Sequence, residues 1–304
     1  MAKANRKTLC AFILLLVLAA CSAPTSPTPP PASPTARLAV NTSAPPPTSA
    51  ASQLTVTPTG PAAILLTGAP APHLPAGALS IVALGDSLTQ GDGDESGQDG
   101  YPSRLAELIT TLRPDSQMLN LGKSGWSSAD LVNGVNGEPA TLPQALSARP
   151  NLALVWIGSN DLWYLYEYGP EPMTAEAEQQ DLNNYAANLD TLLGPLTSSG
   201  AAVFIALLDD QSKRPVVANP PNPSEPAFSA ITPEDLARMS KHVIALNTII
   251  AEKAARYGAL TVDFYNTHIF TDPATLYSDG NHPNTTGYEK ITAIWYSAIE
   301  PSLK

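Results

Sequence analysis

From residue 79 onward the apolar positions fall into two alternating patterns. Short, nearly continuous apolar runs at 79–84, 117–121, 152–157, 202–208 and 260–264 read as buried strands. Between them lie longer stretches whose apolar residues recur three and four positions apart. Leu105, Leu108, Ile109 and Leu112 predict a helix over 101–112, and Leu182, Tyr185, Leu189, Leu192 and Leu193 predict one over 182–196. The stretch Pro233–Tyr257 has Thr232 as its N-cap, Pro233 in its first turn and Gly258 as its stop. A last helix is expected over 288–299. Strands alternating with helices predict an α/β domain in three layers, a parallel sheet with helices on both faces. In such a sheet functional residues gather beyond the carboxyl ends of the strands.

The front of the chain has a different pattern. Lys3, Arg6 and Lys7 precede an apolar run, Leu9 to Leu18, that is short for a bilayer span and reads as the core of a signal peptide at 1–20. Leu18-Ala19-Ala20-Cys21 looks like a bacterial lipobox, so Cys21 is the expected lipidated first residue of the mature protein. The other cysteine, Cys10, falls in the segment that would be removed. The mature chain then has no disulfide, and its stability rests on core packing. Over residues 22–61, 11 Pro and 14 Ser or Thr leave too few apolar side chains to offset the entropy of ordering. Residues 21–74 are therefore expected to be an anchor and extended linker, followed by one domain over 75–304. The expected location is the extracytoplasmic side of a bacterial envelope, with the lipid as the sole membrane contact.

Charge narrows the partners. Residues 1–74 hold Lys3, Arg6, Lys7 and Arg37 and no acid, which leaves 12 basic against 27 acidic side chains in the rest, a net of −15. Such a surface excludes nucleic acid as a partner and disfavours anionic polymers as substrates.

Candidate chemistry sits at the predicted strand ends. Gly85-Asp86-Ser87-Leu88-Thr89-Gln90-Gly91 follows the first strand, Asn120-Leu121-Gly122-Lys123-Ser124-Gly125 ends the second, and Gly158-Ser159-Asn160-Asp161 follows the third. Asp279-Gly280-Asn281-His282-Pro283 precedes the last helix. A serine hydroxyl becomes a useful nucleophile only when a base takes its proton, and histidine titrates in the right range. Of the four histidines, His73 lies in the linker and His242 within a helix. His282, with Asp279 three residues before it, is the expected base; His268, just past the fifth strand, is the competitor. The elbow Gly-x-Ser-x-Gly of α/β-hydrolases is not matched, because Thr89 stands at its second glycine.

These four blocks, in this order, resemble the SGNH branch of the GDSL lipases and esterases over roughly 75–304. The resemblance maps the family's Ser, Gly, Asn and His onto Ser87, Gly125, Asn160 and His282, and implies a flavodoxin-like sheet of five strands. It also implies an oxyanion hole made by the Ser87 and Gly125 N–H groups and the Asn160 amide. Asp86 and Asp161 are expected to be structural, holding the two turns. The run Trp163-Tyr164-Leu165-Tyr166-Glu167-Tyr168 is read as an insertion, and Trp163, Tyr164 and Tyr166 as candidates for contacting a sugar ring or an acyl group. Local core packing is the alternative for these aromatics. The long Pro-rich segment 209–231 is a second feature of functional interest.

Two other motifs do not hold. Gly91-Asp92-Gly93 to Gly97 has the wrong spacing and too many carboxylates for a dinucleotide loop, and the calcium-like start at Asp92 has Ser103 where its twelfth position needs Glu. No metal or cofactor is expected. The reading is a monomeric serine ester hydrolase working through an acyl-enzyme on short acyl or O-acetyl esters, including those of polysaccharides. The alternatives are a lysophospholipase or thioesterase and a non-catalytic surface binding protein of the same fold.

Overall fold

The computed structural model describes residues 71–304. The expected signal segment, Cys21 and nearly all of the expected linker lie outside the described residues. In chain order the elements are β1 (Ser80–Gly85), α1 (Ser87–Gln90), α2 (Gly100–Leu112), β2 (Gln117–Gly122), α3 (Ser128–Asn133), α4 (Thr141–Ser147), β3 (Leu152–Trp156) and α5 (Ser159–Tyr168). Then come α6 (Ala175–Ser198), β4 (Ala202–Leu207), α7 (Pro215–Ala218), α8 (Pro233–Tyr257), β5 (Leu260–Asp263) and α9 (Thr285–Leu303).

The five strands are parallel, in the order β2-β1-β3-β4-β5. This is the flavodoxin-like order, with β1 between β2 and β3. Every residue of β3 is buried, as is β1 after its first residue, which is why these strands read as continuous apolar runs. Helices α2 and α9 pack together on one face, and α6 packs between α3 and α8 on the other. Under α2 and α9, Trp156 stacks on Phe264 at 4.1 Å, and Tyr101 stacks on Trp295 at 5.5 Å. Aromatic pairs at such separations add to the stabilisation from burial alone. Among the described residues no helix is long and apolar enough to cross a membrane.

The predicted helices are present but longer at polar ends. Helix α6 begins at Ala175, where the Thr174 hydroxyl caps the Ala177 N–H at 3.1 Å, seven residues before its first predicted apolar position. Apolar spacing cannot see such a polar first turn; the cap can. Helix α8 opens with a capping box. The Thr232 N–H donates to Asp235 at 3.0 Å and the Asp235 N–H donates to the Thr232 hydroxyl at 3.3 Å.

Candidate active site

Ser87 is the first residue of α1, directly beyond the interior strand β1. The turn is tight: a Cβ on Gly85 would lie 2.3 Å from the Trp156 carbonyl oxygen and 2.2 Å from the Thr89 hydroxyl, so only glycine fits. Asp86 caps α1 by accepting from the Leu88 N–H at 3.0 Å. Its other carboxylate oxygen is buried without a partner, and burial raises its pKa to about 6.

The C-terminal loop brings its imidazole to this turn. His282 Nε2 lies 3.0 Å from the Ser87 hydroxyl, and His282 Nδ1 lies 2.7 Å from Asp279 Oδ2. The second oxygen of Asp279 accepts the backbone N–H groups of Asn281 at 2.8 Å and His282 at 3.0 Å. Burial alone would raise the Asp279 pKa, but the bond from His282 and these two N–H donors hold it below the usual carboxylate range. The imidazole is thus oriented on one side by a carboxylate and presents its other nitrogen to the serine. His268 is not at this turn: its side chain is exposed and lines a separate cavity with Tyr265, Asn266 and Lys213.

Sheet order places the other two candidate residues on either side of Ser87. Gly125 follows β2 and Asn160 opens α5 after β3, and these strands flank β1. The β2 loop is held to α1 by the Ser124 N–H, which donates to Gln90 at 2.7 Å, and by the Asn120 amide, which donates to the Thr89 carbonyl at 2.9 Å. It is held to α5 by Asn160, whose amide donates to the Trp126 carbonyl at 2.8 Å, and by the Tyr164 hydroxyl, which donates to the Gly125 carbonyl. Asn160 keeps a second amide hydrogen. Among the described residues the N–H groups of Ser87 and Gly125 have no acceptor. Asp161 reaches away from its own turn and accepts from the N–H of Ser128 at 2.9 Å and from its hydroxyl, tying α5 to α3. Desolvation pushes this carboxyl up to about 7 against those two bonds.

The structure corrects the expectation for the aromatic run. The run is the body of α5, and helical periodicity sorts its side chains. Ser159, Leu162, Trp163 and Tyr166 form the buried stripe. Trp163 stacks on Phe228 at 4.4 Å, and the Tyr166 hydroxyl donates to Glu178 at 2.5 Å, so both are packing residues rather than substrate contacts. Asn160, Tyr164 and Tyr168 share the opposite stripe, four residues apart. Tyr168 is 76% exposed, and its ring centroid lies 5.9 Å from that of Tyr164. Tyr168 stands eight residues after Asn160, so helical spacing puts it on the same stripe.

The acidic loop after α1 is committed internally. Asp94 accepts both terminal nitrogens of Arg104, together with the Gly100 N–H at 3.0 Å and the Ser96 hydroxyl at 2.8 Å. Burial opposes ionisation there, but these bonds hold its carboxyl far below the ordinary range. Among the described residues no three His, Cys, Asp or Glu side chains converge as metal ligands.

Comparison with known proteins bears on the fold and the family. The chain is 26% identical over 260 residues to a multidomain esterase of Ruminococcus flavefaciens, matching 79% of this chain but spanning only 31% of that protein. A variant of the acetyl xylan esterase Axe2 from Geobacillus stearothermophilus has the same fold (TM-score 0.52, 19% identity, 73% of this chain and 95% of that one). So does the psychrotrophic esterase EstA from Pseudoalteromonas sp. (TM-score 0.51, 18% identity, 73% and 96%). Residues 83–290 match the GDSL-like Lipase/Acylhydrolase family, a span that holds Ser87, Gly125, Asn160, Asp279 and His282. The chain belongs to that family.

Proposed function

We propose that the protein hydrolyses small acyl esters, foremost O-acetyl groups carried on carbohydrate, through a covalent acyl-enzyme on Ser87. The observation that carries this reading is the line Ser87 hydroxyl–His282–Asp279, with separations of 3.0 and 2.7 Å. His282 Nε2 takes the hydroxyl proton as Ser87 attacks the ester carbonyl, then delivers it to the leaving alcohol. Asp279 holds the imidazole in the tautomer that leaves Nε2 free and stabilises the imidazolium that forms. The two free N–H groups, of Ser87 and Gly125, and the spare amide hydrogen of Asn160 converge on the developing oxyanion. One such donor is typically worth about 3 kcal/mol in the transition state. Water then attacks the acyl-Ser87 ester by the same route.

The carbohydrate part of the reading rests on the α5 stripe. The exposed rings of Tyr164 and Tyr168 continue the line of Asn160 away from the oxyanion site, a surface suited to the apolar face of a sugar ring. The acetyl xylan esterase among the similar structures favours the same substrate class. Export on a lipidated Cys21 belongs to this proposal and places the domain where polymeric glycans occur.

The test is a substrate panel of aryl esters with acyl chains of rising length, acetylated xylo-oligosaccharides and lysophospholipids. Ser87→Ala is expected to lower turnover by several orders of magnitude with little change in stability. Tyr168→Ala is expected to raise KM on the acetylated oligosaccharide and leave aryl acetate turnover unchanged. Wild-type turnover in Ser87→Ala overturns the mechanism; preference for lysophospholipid or long acyl chains overturns the substrate class.

A further inference from the structure

The segment after β4 contains a buried ion pair that the steps above do not use. Arg214 is 1% exposed, and its Nε and Nη2 grip the Asp209 carboxylate at 2.8 and 2.6 Å. This bidentate fork already satisfies the charge. The third arm of the guanidinium, Nη1, points the other way and donates to the Asn281 amide oxygen at 2.8 Å. Asn281 lies between Asp279 and His282, and its own N–H is one of the donors on Asp279 Oδ1, at 2.8 Å. Two residues after Arg214, the Val216 N–H donates to the Gly280 carbonyl at 3.0 Å. The guanidinium plane is fixed from a third side by Phe270, at 4.3 Å. On the other flank of the same segment, the Gln211 amide donates to the buried Ser159 hydroxyl at 2.9 Å, next to Asn160.

We propose that Arg214, locked by Asp209, is a positioning residue for ester hydrolysis: through Asn281 it holds the loop bearing Asp279 and His282 against Ser87. The role rests on the reading of Ser87 as nucleophile. The loop's own hydrogen bonds fix Asp279 relative to His282, since those onto Asp279 come from Asn281 and His282 within four residues. They do not fix that pair relative to β1, which is nearly two hundred residues away in sequence. Arg214 and Val216, anchored at the end of β4, supply that reference. Lysine cannot replace arginine here. A single ammonium has no planar fork and cannot hold a carboxylate bidentately while reaching an amide on the opposite side. A misplacement of about 1 Å in such an arrangement costs on the order of a hundredfold in rate.

The test is steady-state kinetics of the purified full chain on an aryl acetate, with urea denaturation to compare folding. Asn281→Ala removes the acceptor of the third arm and leaves the Asp209–Arg214 fork intact. It is expected to lower kcat by about tenfold or more, with KM within threefold and an unfolding midpoint close to wild type. Arg214→Lys is expected to lower kcat at least as much, and the double variant to be no slower than Arg214→Lys alone, because both changes break one contact. Should Arg214→Lys not fold, Asn281→Ala decides alone. A folded Asn281→Ala with kcat within threefold of wild type overturns the proposal, and so does an additive loss in the double variant. Ser87→Ala run alongside separates the two readings. If it retains turnover, the nucleophile assignment fails; if it is inactive while Asn281→Ala is not slowed, only the positioning role fails.

Discussion

Asp86 is wholly buried beside the nucleophile, with one oxygen capping α1 and the other unpartnered. Desolvation raises its pKa from 3.8 to about 6, opposed by the bond from the Leu88 N–H and by the nearby charges of Arg214 and His282. A carboxyl whose pKa is higher in the folded than in the unfolded chain binds more protons folded, so its contribution to stability falls as pH rises. The window runs from about pH 4 to about pH 6. Below it both states are protonated, and above it both are ionised and the penalty is complete. A rise from 3.8 to about 6 corresponds to about 3 kcal/mol at neutral pH. Asp86→Asn keeps an acceptor for Leu88 and removes the charge, but buries an amide hydrogen pair, a cost independent of pH. The quantity to measure is therefore the stability of Asp86→Asn minus that of wild type, from urea unfolding at several pH values between 4 and 7. This difference is expected to grow in favour of the variant by about 3 kcal/mol across the range. A difference that stays flat would refute the reasoning, because it would mean that Asp86 ionises in the fold as easily as in the unfolded chain.

The two histidines give a second check: His282→Ala should match Ser87→Ala in lost turnover, with little added in the double variant, while His268→Ala stays within about tenfold of wild type. An inactive His268→Ala beside an active His282→Ala would reverse the assignment. Gly280 has φ +70°, and a Cβ there would lie 3.1 Å from both Pro215 and the Val216 nitrogen. Gly280→Ala is accordingly expected to cost roughly 1–3 kcal/mol of stability, read by urea unfolding, and to lower kcat more than it changes KM. At the other end of the chain, Cys21→Ser should move the protein from the membrane fraction to the soluble one, and mass spectrometry of the wild-type N-terminal peptide should find an acylated cysteine. Unmodified Cys21 in protein free in the medium would refute the anchor.

What the sequence by itself determined is local. The strands β1, β3 and β4 are continuous apolar runs because both of their faces are covered, and that environment is written into adjacent residues. Thr232, Pro233 and Gly258 bound α8 because caps act within one turn. Asp279 and His282 are legible as a pair because three residues in one loop suffice for their hydrogen bond. The candidate site could be outlined in advance since three of its four blocks follow a strand end, where α/β sheets collect their chemistry. Only the tertiary structure decided what depends on partners distant in the chain. Strand order put β1 between β2 and β3 and so set Gly125 and Asn160 on opposite sides of Ser87. The start of α5 at Ser159 turned an aromatic run into two stripes, with Trp163 and Tyr166 inward and Tyr164 and Tyr168 outward. Arg214 and Asn281, 67 positions apart, meet because β4 and the C-terminal loop end on the same edge of the sheet. Periodicity reports how one segment is buried. It carries no information about which other segment does the burying, and that choice made a site from separate motifs.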